Sequence, residues 1–555
     1  MVLSKLKNLA DGRKPAAGSG DPFVDALREA LSTERVKYDG ASRSLHSHDA
    51  SVFDGGNSGP VAYPETTAEV QAVIRLANEH QRNVVPRGAG TGLAGGAIPL
   101  GVPVVVAVTR MNAILEIDEA NRIAWVEPGV INLDLTKHLK PLGYHFAPDP
   151  SSQQVCTIGG NVANNSGGPH CLAYGVTNAH VVAMEVVLPS GDVAMLGGLD
   201  AEPQGLDLRG AFVGSEGTLG IVTKVAVQLT KNRPAVRTLL MAFDDVRDAA
   251  NTVSDVIADG IVPAAMEVMD KAITAAVENY VGAGYPTDAA AVLLAEVDGL
   301  DSGVDIDADR IAEIGRANNA TSVRLAGSDE ERALLWKGRK TAFGAVAQIA
   351  PDYYLHDTVV PRSALADVLD EIYAIAEKYD LLIMNVFHAG DGNLHPLIVF
   401  DGRDEGVLDR VHAAGGEIIT ASLDAGGVLS GEHGVGVEKQ KYMDRMFTDD
   451  DLDHQNRMRQ AFDPGCRTNP GKVIPSGHSC ADIQSLRAVP KEVWGLPPRS
   501  PSTTRRCSPL PARSATPMQS LSRVPGHAGT SVGHRREVHE FFERPRALST
   551  TSLKR

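Results

Sequence analysis

The chain has 555 residues, a net charge of −16, and 43% hydrophobic against 22% charged residues, an ordinary soluble-protein composition that is too long for a single core. The acidic balance argues against nucleic acid as a general partner, and no apolar run approaches the ~20 residues of a membrane span. The five cysteines, Cys156, Cys171, Cys466, Cys480 and Cys507, show no CxxC and no cluster spacing, which speaks against an iron–sulfur centre carried by this chain and fits a reducing compartment.

Residues 1–20 read as a loose leader. Lys5, Lys7, Arg13 and Lys14 are followed by no apolar segment, so no secretory signal is expected and the cytoplasm is the default location, with peripheral attachment to the membrane left open. A helix is expected over 21–31. The next helix, over 67–80, places Val70, Val73, Ile74 and Ala77 on one face. A β-prone 83–85 then leads into residues 85–97, VPRGAGTGLAGGA. Glycines there let backbone N–H groups turn toward an anion with no Cβ in the way. The pattern is neither GxxxxGK[ST] nor the strand–GxGxxG–helix unit, and a phosphate loop and a purely structural turn both fit it. Residues 104–108 read as a buried strand. A second glycine-rich loop follows at 156–168, CTIGGNVANNSGG, and a third at 214–223, GSEGTLGIVT.

From about residue 236 the character changes. β-prone runs at 237–243, 263–269, 291–297, 354–360 and 381–387 alternate with helical patterns, among them Val246, Ala250, Val253 and Ile257 on one face and Leu365, Val368, Leu369 and Ile372 on another. Such repetition predicts a ferredoxin-like antiparallel sheet with helices on one side. The expected divisions are a leader and helix (1–45), a first α+β domain (46–235), a capping domain (236–475) and an extension (476–555). From residue 496 the chain is rich in Pro, Ser, Thr and Arg, and ten arginines and one lysine against three glutamates give it +8. A disordered basic extension is the plain reading; a reading-frame artefact and a nucleic-acid- or lipid-binding tail are the alternatives.

Two stretches of the capping region carry chemistry, FHAGDGNLHP at 387–396 and SGEHGVG at 430–436. His388 and His395 lie seven positions apart across a glycine-containing turn, so a hairpin brings both imidazoles near one point. With Glu432 they make a two-His, one-carboxylate set that suits Zn²⁺ or Fe²⁺ with open positions; on spacing alone the metal signal is weak, since histidines more often hydrogen-bond within a core or cover a surface. Asn393 either bonds a substrate, fixes a ligand or holds the turn. Glu216 is a loop carboxylate near the first domain's loops or a structural hydrogen-bond acceptor. His356–Asp357 reads as a pair able to orient another group, although it falls in an expected strand, and Lys439 and Lys441 are expected to be solvated.

The three glycine loops, with VEPG at 126–129 and SHDAS at 47–51, resemble in order and spacing the FAD-binding oxidoreductases of the vanillyl-alcohol oxidase and p-cresol methylhydroxylase type. That resemblance implies an FAD-binding domain in which Pro86, Arg87, Gly88, Ala89, Gly90, Thr91, Gly92, Leu93, Ala94 and Gly95 wrap the pyrophosphate side. It likewise implies that Cys156, Thr157, Gly159, Gly160, Asn161, Asn164, Asn165 and Ser166 run beside the flavin, with Pro128, Glu216, Gly217, Ile221 and Asn469 completing the site. No histidine stands in the first loop, so non-covalent FAD is expected. WKGRKTAF at 336–343, PDYYLHDTVVP at 351–361 and NPGKVIP at 469–475 extend the likeness to glycolate oxidase FAD-binding subunits and to D-lactate and D-2-hydroxyglutarate dehydrogenases, over most of residues 40–494. By position, the resemblance implies His388, His395 and Glu432 as ligands of a divalent metal (zinc, iron or manganese), His433 as base and Arg339 as the clamp on a substrate carboxylate. Leu355 and His356 stand where relatives acting on 2-hydroxyglutarate carry a lysine, which favours glycolate or D-lactate. The implied reaction is hydride transfer from a 2-hydroxy acid to flavin N5. The implied partners are an iron–sulfur electron-transfer subunit and an FAD-binding paralogue, with a homo-oligomer left open. A stand-alone D-lactate dehydrogenase using quinone or cytochrome and a non-catalytic flavin-binding scaffold are the alternatives.

Overall fold

The computed structural model describes residues 19–53, 55–199 and 205–475; residues 1–18 of the expected leader and the extension 476–555, with its basic stretch from 496, lie outside the described residues. α1 (Pro22–Leu31) starts at Asp21, whose carboxylate accepts the Phe23 N–H, and it buries Phe23, Val24, Leu27 and Leu31. α2 (Thr67–Glu79), capped by Thr66, buries Val70, Val73, Ile74 and Ala77, the stripe its spacing predicts. Each of the three larger side chains contributes on the order of 1.5–3 kcal/mol by leaving water. Both helices share a core with β1 (Val36–Lys37), β2 (Val61–Ala62), β3 (Val84–Arg87) and β4 (Val104–Ala107), in spatial order β1-β2-β4-β3.

An antiparallel sheet follows, of β5 (Ile114–Asp118), β6 (Ile123–Val126), β7 (Val181–Val187), β8 (Val193–Gly197) and β9 (Ile221–Gln228), in the order β5-β6-β9-β7-β8. Leu135 and Leu139 of α3 (Asn132–Leu139) and Ile158 and Val162 of α4 (Ile158–Asn164) fill its core.

The third sheet has nine strands: β10 (Ala235–Phe243), β11 (Ala265–Asp270), β12 (Ala291–Gly299), β13 (Ser322–Leu325), β14 (Asp352–Leu355), β15 (Thr358–Val359), β16 (Leu382–His388), β17 (Asn393–Leu394) and β18 (Pro396–Phe400). Its path is β13-β10-β12-β11-β16-β17-β15, with β18 joining β16 to β14. Helices cover both faces, not one. α5 (Val246–Ala258), α7 (Asp301–Ala317), α9 (Leu365–Tyr379) and α10 (Val407–Asp424) pack with Leu239, Met241 and Phe243, while α6 (Lys271–Val281) and α8 (Asp329–Lys340) pack with Leu240 and Ala242. The reason lies in the strands, which are apolar at successive positions and so need cover on each side.

Two further expectations are corrected. The run 354–360 is not one strand: β14 pairs with β18 and β15 with β17, and the chain crosses between them at His356–Asp357, both fully buried. Lys439 is fully buried rather than solvated, because its Nζ donates to the Asp357 carbonyl at 2.8 Å and carboxylate at 3.2 Å. Lys441 is exposed as expected.

Candidate active site

β3 delivers the first glycine loop directly onto α4. A Cβ on Gly88 would lie 2.4 Å from Thr157 Oγ1, and Thr157 is occupied in capping α4 by accepting the Gly160 N–H. Glycine is needed there for close approach, and at Gly90 for a φ of +75°. The third loop arrives from the far side, where a Cβ on Gly217 would meet Pro86 at 3.0 Å. Together the loops enclose a cavity of about 590 Å³.

Residues 86–93, Cys156, Thr157, Gly159, Gly160, Asn161, Asn164, Ser166, Glu216, Gly217 and Ile221 stand on its wall. Ala94, Gly95, Pro128, Asn165 and Asn469 do not; they brace it. The Ala94 carbonyl accepts the Val437 N–H, the Pro128 carbonyl accepts from Gly159, and Asn469 Nδ2 donates to the carbonyls of Gly96 and Glu216. Asn165 ends α4 in the left-handed conformation. Ser151, Gln154, Tyr280, Lys340 and Phe343 also line the cavity. None was given a role from sequence, since they carry no glycine signal; Lys340 and Phe343 fall in the WKGRKTAF stretch at 336–343, and Ser151 and Gln154 in a polar run, PDPSSQQ at 148–154, that could have drawn notice. Arg87 is 9% exposed on this wall, and its Nη1 has no hydrogen-bond partner. A buried, unsatisfied guanidinium among glycine N–H groups fits the pyrophosphate of FAD.

At one end of the same cavity stand Glu432 and His433. Behind them the β16–β17 hairpin brings the His388 and His395 rings to 5.0 Å between centroids. Glu432 Oε1 lies 3.6 Å from His388 Nε2, 3.3 Å from His395 Nε2 and 3.8 Å from His433 Nε2. The ring orientations are fixed from outside, as in metal sites where the second nitrogen is bonded. His388 Nδ1 meets Glu267 Oε1 at 2.8 Å, and His395 Nδ1 meets the His356 carbonyl at 3.1 Å, so both Nε2 atoms turn to Glu432.

The loop that carries Glu432 and His433 hangs on two carboxylates. Asp357 accepts from Ser430 Oγ at 2.6 Å and from the N–H groups of Gly431 at 3.0 Å and His433 at 2.9 Å. Burial opposes its charge, but Lys439, His433 and His395 hold it well below the usual carboxylate range. Glu216 accepts from Val435 N at 2.6 Å and Gly436 N at 2.8 Å, so its carboxylate ties the glycine loops to the donor loop. Burial pushes Glu216 up to about 7, and burial pushes the His433 imidazole down to about 4.

Two expected site residues stand back from the cavity. Arg339 is 1% exposed, with Nη2 2.5 Å from Glu267 Oε2 and with Nε and Nη1 lacking hydrogen-bond partners. Asn393 is buried beneath Gly431, where an added Cβ would meet its Nδ2 at 2.4 Å. Glu267 and Lys439, which help position the site, were given no such role from sequence, because they reach it from distant elements; Asp357 reads in the sequence as half of a pair able to orient another group, and it holds the donor loop.

Residues 60–197 match the family described as FAD binding domain, and residues 233–473 match FAD linked oxidases, C-terminal domain. The chain is 44% identical to the glycolate oxidase subunit GlcD of Escherichia coli K12 over 77% of its own length and 85% of that protein's. It is 40% identical to the GlcD subunit of Bacillus subtilis over 81% and 96%, and 31% identical to a D-lactate dehydrogenase of Anaerostipes hadrus over 74% and 88%. Among solved structures, substrate-bound p-cresol methylhydroxylase superimposes with a TM-score of 0.71 over 82% of this chain and 97% of that one, at 17% identity, a likeness of fold. Sequence and fold agree that this chain is a member of the FAD-linked oxidase family of oxidoreductases, with a p-cresol methylhydroxylase-type FAD-binding fold.

Proposed function

We propose that the chain oxidises a small 2-hydroxy acid, glycolate or D-lactate, to the 2-oxo acid as the catalytic subunit of a glycolate oxidase-type assembly. The observation that carries this reading is that Glu432 and His433 share one cavity wall with the three glycine loops. Residues 46–235 form the FAD-binding part, with 87–92 on the pyrophosphate and 157–166 beside the flavin, and residues 236–475 form the cap. When bound, FAD accepts the hydride that leaves the substrate's α-carbon.

His388, His395 and Glu432 offer ligand atoms within 4.8 Å of one another and would hold a divalent cation, zinc, iron or manganese. That cation would lower the pKa of the substrate hydroxyl. His433, kept neutral by burial, takes the hydroxyl proton on Nε2. Arg339 retains Nε and Nη1 for a substrate carboxylate while Glu267 occupies Nη2. Asn393 holds the turn between the two histidines and the Gly431 backbone above it. Leu355 and His356 leave no cation for a second carboxylate, which supports a small substrate. The cysteines show no cluster spacing, which suits electron transfer to a separate iron–sulfur subunit. Among the described residues no helix is long and apolar enough to cross a membrane.

Anaerobic titration of the purified flavoprotein with glycolate, D-lactate, L-lactate and D-2-hydroxyglutarate tests the reading. Rapid bleaching of the flavin by glycolate or D-lactate is expected. A bound flavin that none of the four acids reduces would overturn it and favour a scaffold subunit.

A further inference from the structure

A second cavity, of about 400 Å³, lies between α8 and the loop around residues 151–154. Ser151, Gln154, Lys340 and Thr341 line both this cleft and the flavin cavity, so the two adjoin. Four cations surround the cleft: His170, Arg332, Lys337 and Lys340. Four carboxylates act on them: Asp149 and Glu296 are turned inward, and Asp298 and Asp329 lie near Arg332. Asp149 takes His170 Nδ1 at 2.9 Å and Lys340 Nζ at 3.1 Å. Glu296 takes Arg332 through two bonds of 2.8 and 2.7 Å, together with Thr238 Oγ1 and Trp336 Nε1.

Within the ion pairs of Asp149 and Glu296, the cations are the more exposed partners. The side chains of His170, Lys340 and Arg332 are 23%, 31% and 36% exposed, against 13% for Asp149 and 2% for Glu296. Lys337 is exposed as well. Burial works against a charge on His170, yet Asp149 and Glu296 outweigh it and raise the ring to about 10, so it is a cation at neutral pH. On the side that adjoins the flavin cavity the cleft thus presents Lys337 and Lys340 outward, local cations on a protein whose net charge of −16 would otherwise repel small anions.

We propose that this cleft is an anion-collecting antechamber through which the carboxylate of a small organic acid passes, over Lys337 and Lys340, into the flavin cavity. The proposal rests on the reading above only in the identity of the acid. The probe is therefore oxalate, an unreactive dicarboxylate, whose association with the holoprotein is followed by stopped-flow perturbation of the flavin spectrum at several NaCl concentrations. Lys337→Glu is expected to lower the association rate constant by about tenfold at low salt and to flatten its salt dependence. Lys37→Glu makes the same charge change on β1, outside both cavities, and is expected to leave the rate within twofold of wild type. Equal rates in the two variants would overturn the proposal, as would the absence of any flavin perturbation by oxalate. Because oxalate binding needs no turnover, failure of the hydroxy acids to reduce the flavin remains a separate result.

Discussion

The two halves of the site are built on different principles. The flavin half is made of backbone: its glycines stand where a side chain cannot, as at Gly88 against Thr157. The donor half is made of side chains held in place by buried carboxylates, with Glu267 behind His388 and Asp357 beneath the loop that carries Glu432 and His433. A backbone site tolerates changes in its surroundings but not an added methyl group. A side-chain site tolerates changes at its surface but not the loss of a buried charge.

The sharpest break in that contrast is Asp357→Asn. The amide would set donors against the loop's N–H groups and leave Lys439, which is fully buried, without its counter-charge. Breaking a buried pair costs about 3–5 kcal/mol, so a large drop in unfolding free energy is expected, together with loss of flavin reduction. Calorimetry and denaturant titration read the first and stopped-flow absorbance the second. Gly88→Ala strikes the other half. Its Cβ would sit 2.4 Å from Thr157 Oγ1, an overpacking worth about 1–3 kcal/mol. FAD retention should therefore fall roughly 5- to 150-fold while the apoprotein stays folded. Removing the opposing atom with Thr157→Ala in the same chain should recover part of it; no recovery would place the fault elsewhere.

How far each half was legible follows from the same contrast. Glycines demanded by backbone geometry are spelled out in sequence, so residues 85–97 and 214–223 could be read as loops before their contacts were known; 156–168 reads as a loop too, but its residues 158–164 form α4. The helices at 22–31 and 67–79 were legible through their buried stripes. His388 and His395 were legible as a pair because one hairpin holds both. Their supports were less so: Asp357 was legible only as half of a pair able to orient another group, while Glu267 comes from β11 and Lys439 lies beyond the donor loop. A buried Lys439 looks like a solvated one until its partner from 82 residues away is in place. Helices on both faces of the third sheet were missed although its strands carry unbroken apolar runs, the pattern of a sheet covered twice.

The smallest expected effect concerns the network around the antechamber. His170 rises from 6.5 to about 10 in the folded state. The stability it contributes is complete below pH 6.5 and is lost as the pH rises through 10. Wild-type Tm should therefore decline between pH 7 and 10, and His170→Gln should flatten that decline. Parallel curves for the two proteins would show that the Asp149–His170–Glu296 cluster is not coupled to folding.

The most direct measurement of whether the two halves act on one substrate is the rate of anaerobic flavin reduction by glycolate and D-lactate before and after chelator treatment, with metal and flavin content measured on the same samples. The expected result is loss of reduction with metal loss, full flavin retention, and recovery on adding Zn²⁺, Fe²⁺ or Mn²⁺. Undiminished reduction by a metal-free, flavin-replete protein would contradict a metal role for His388, His395 and Glu432.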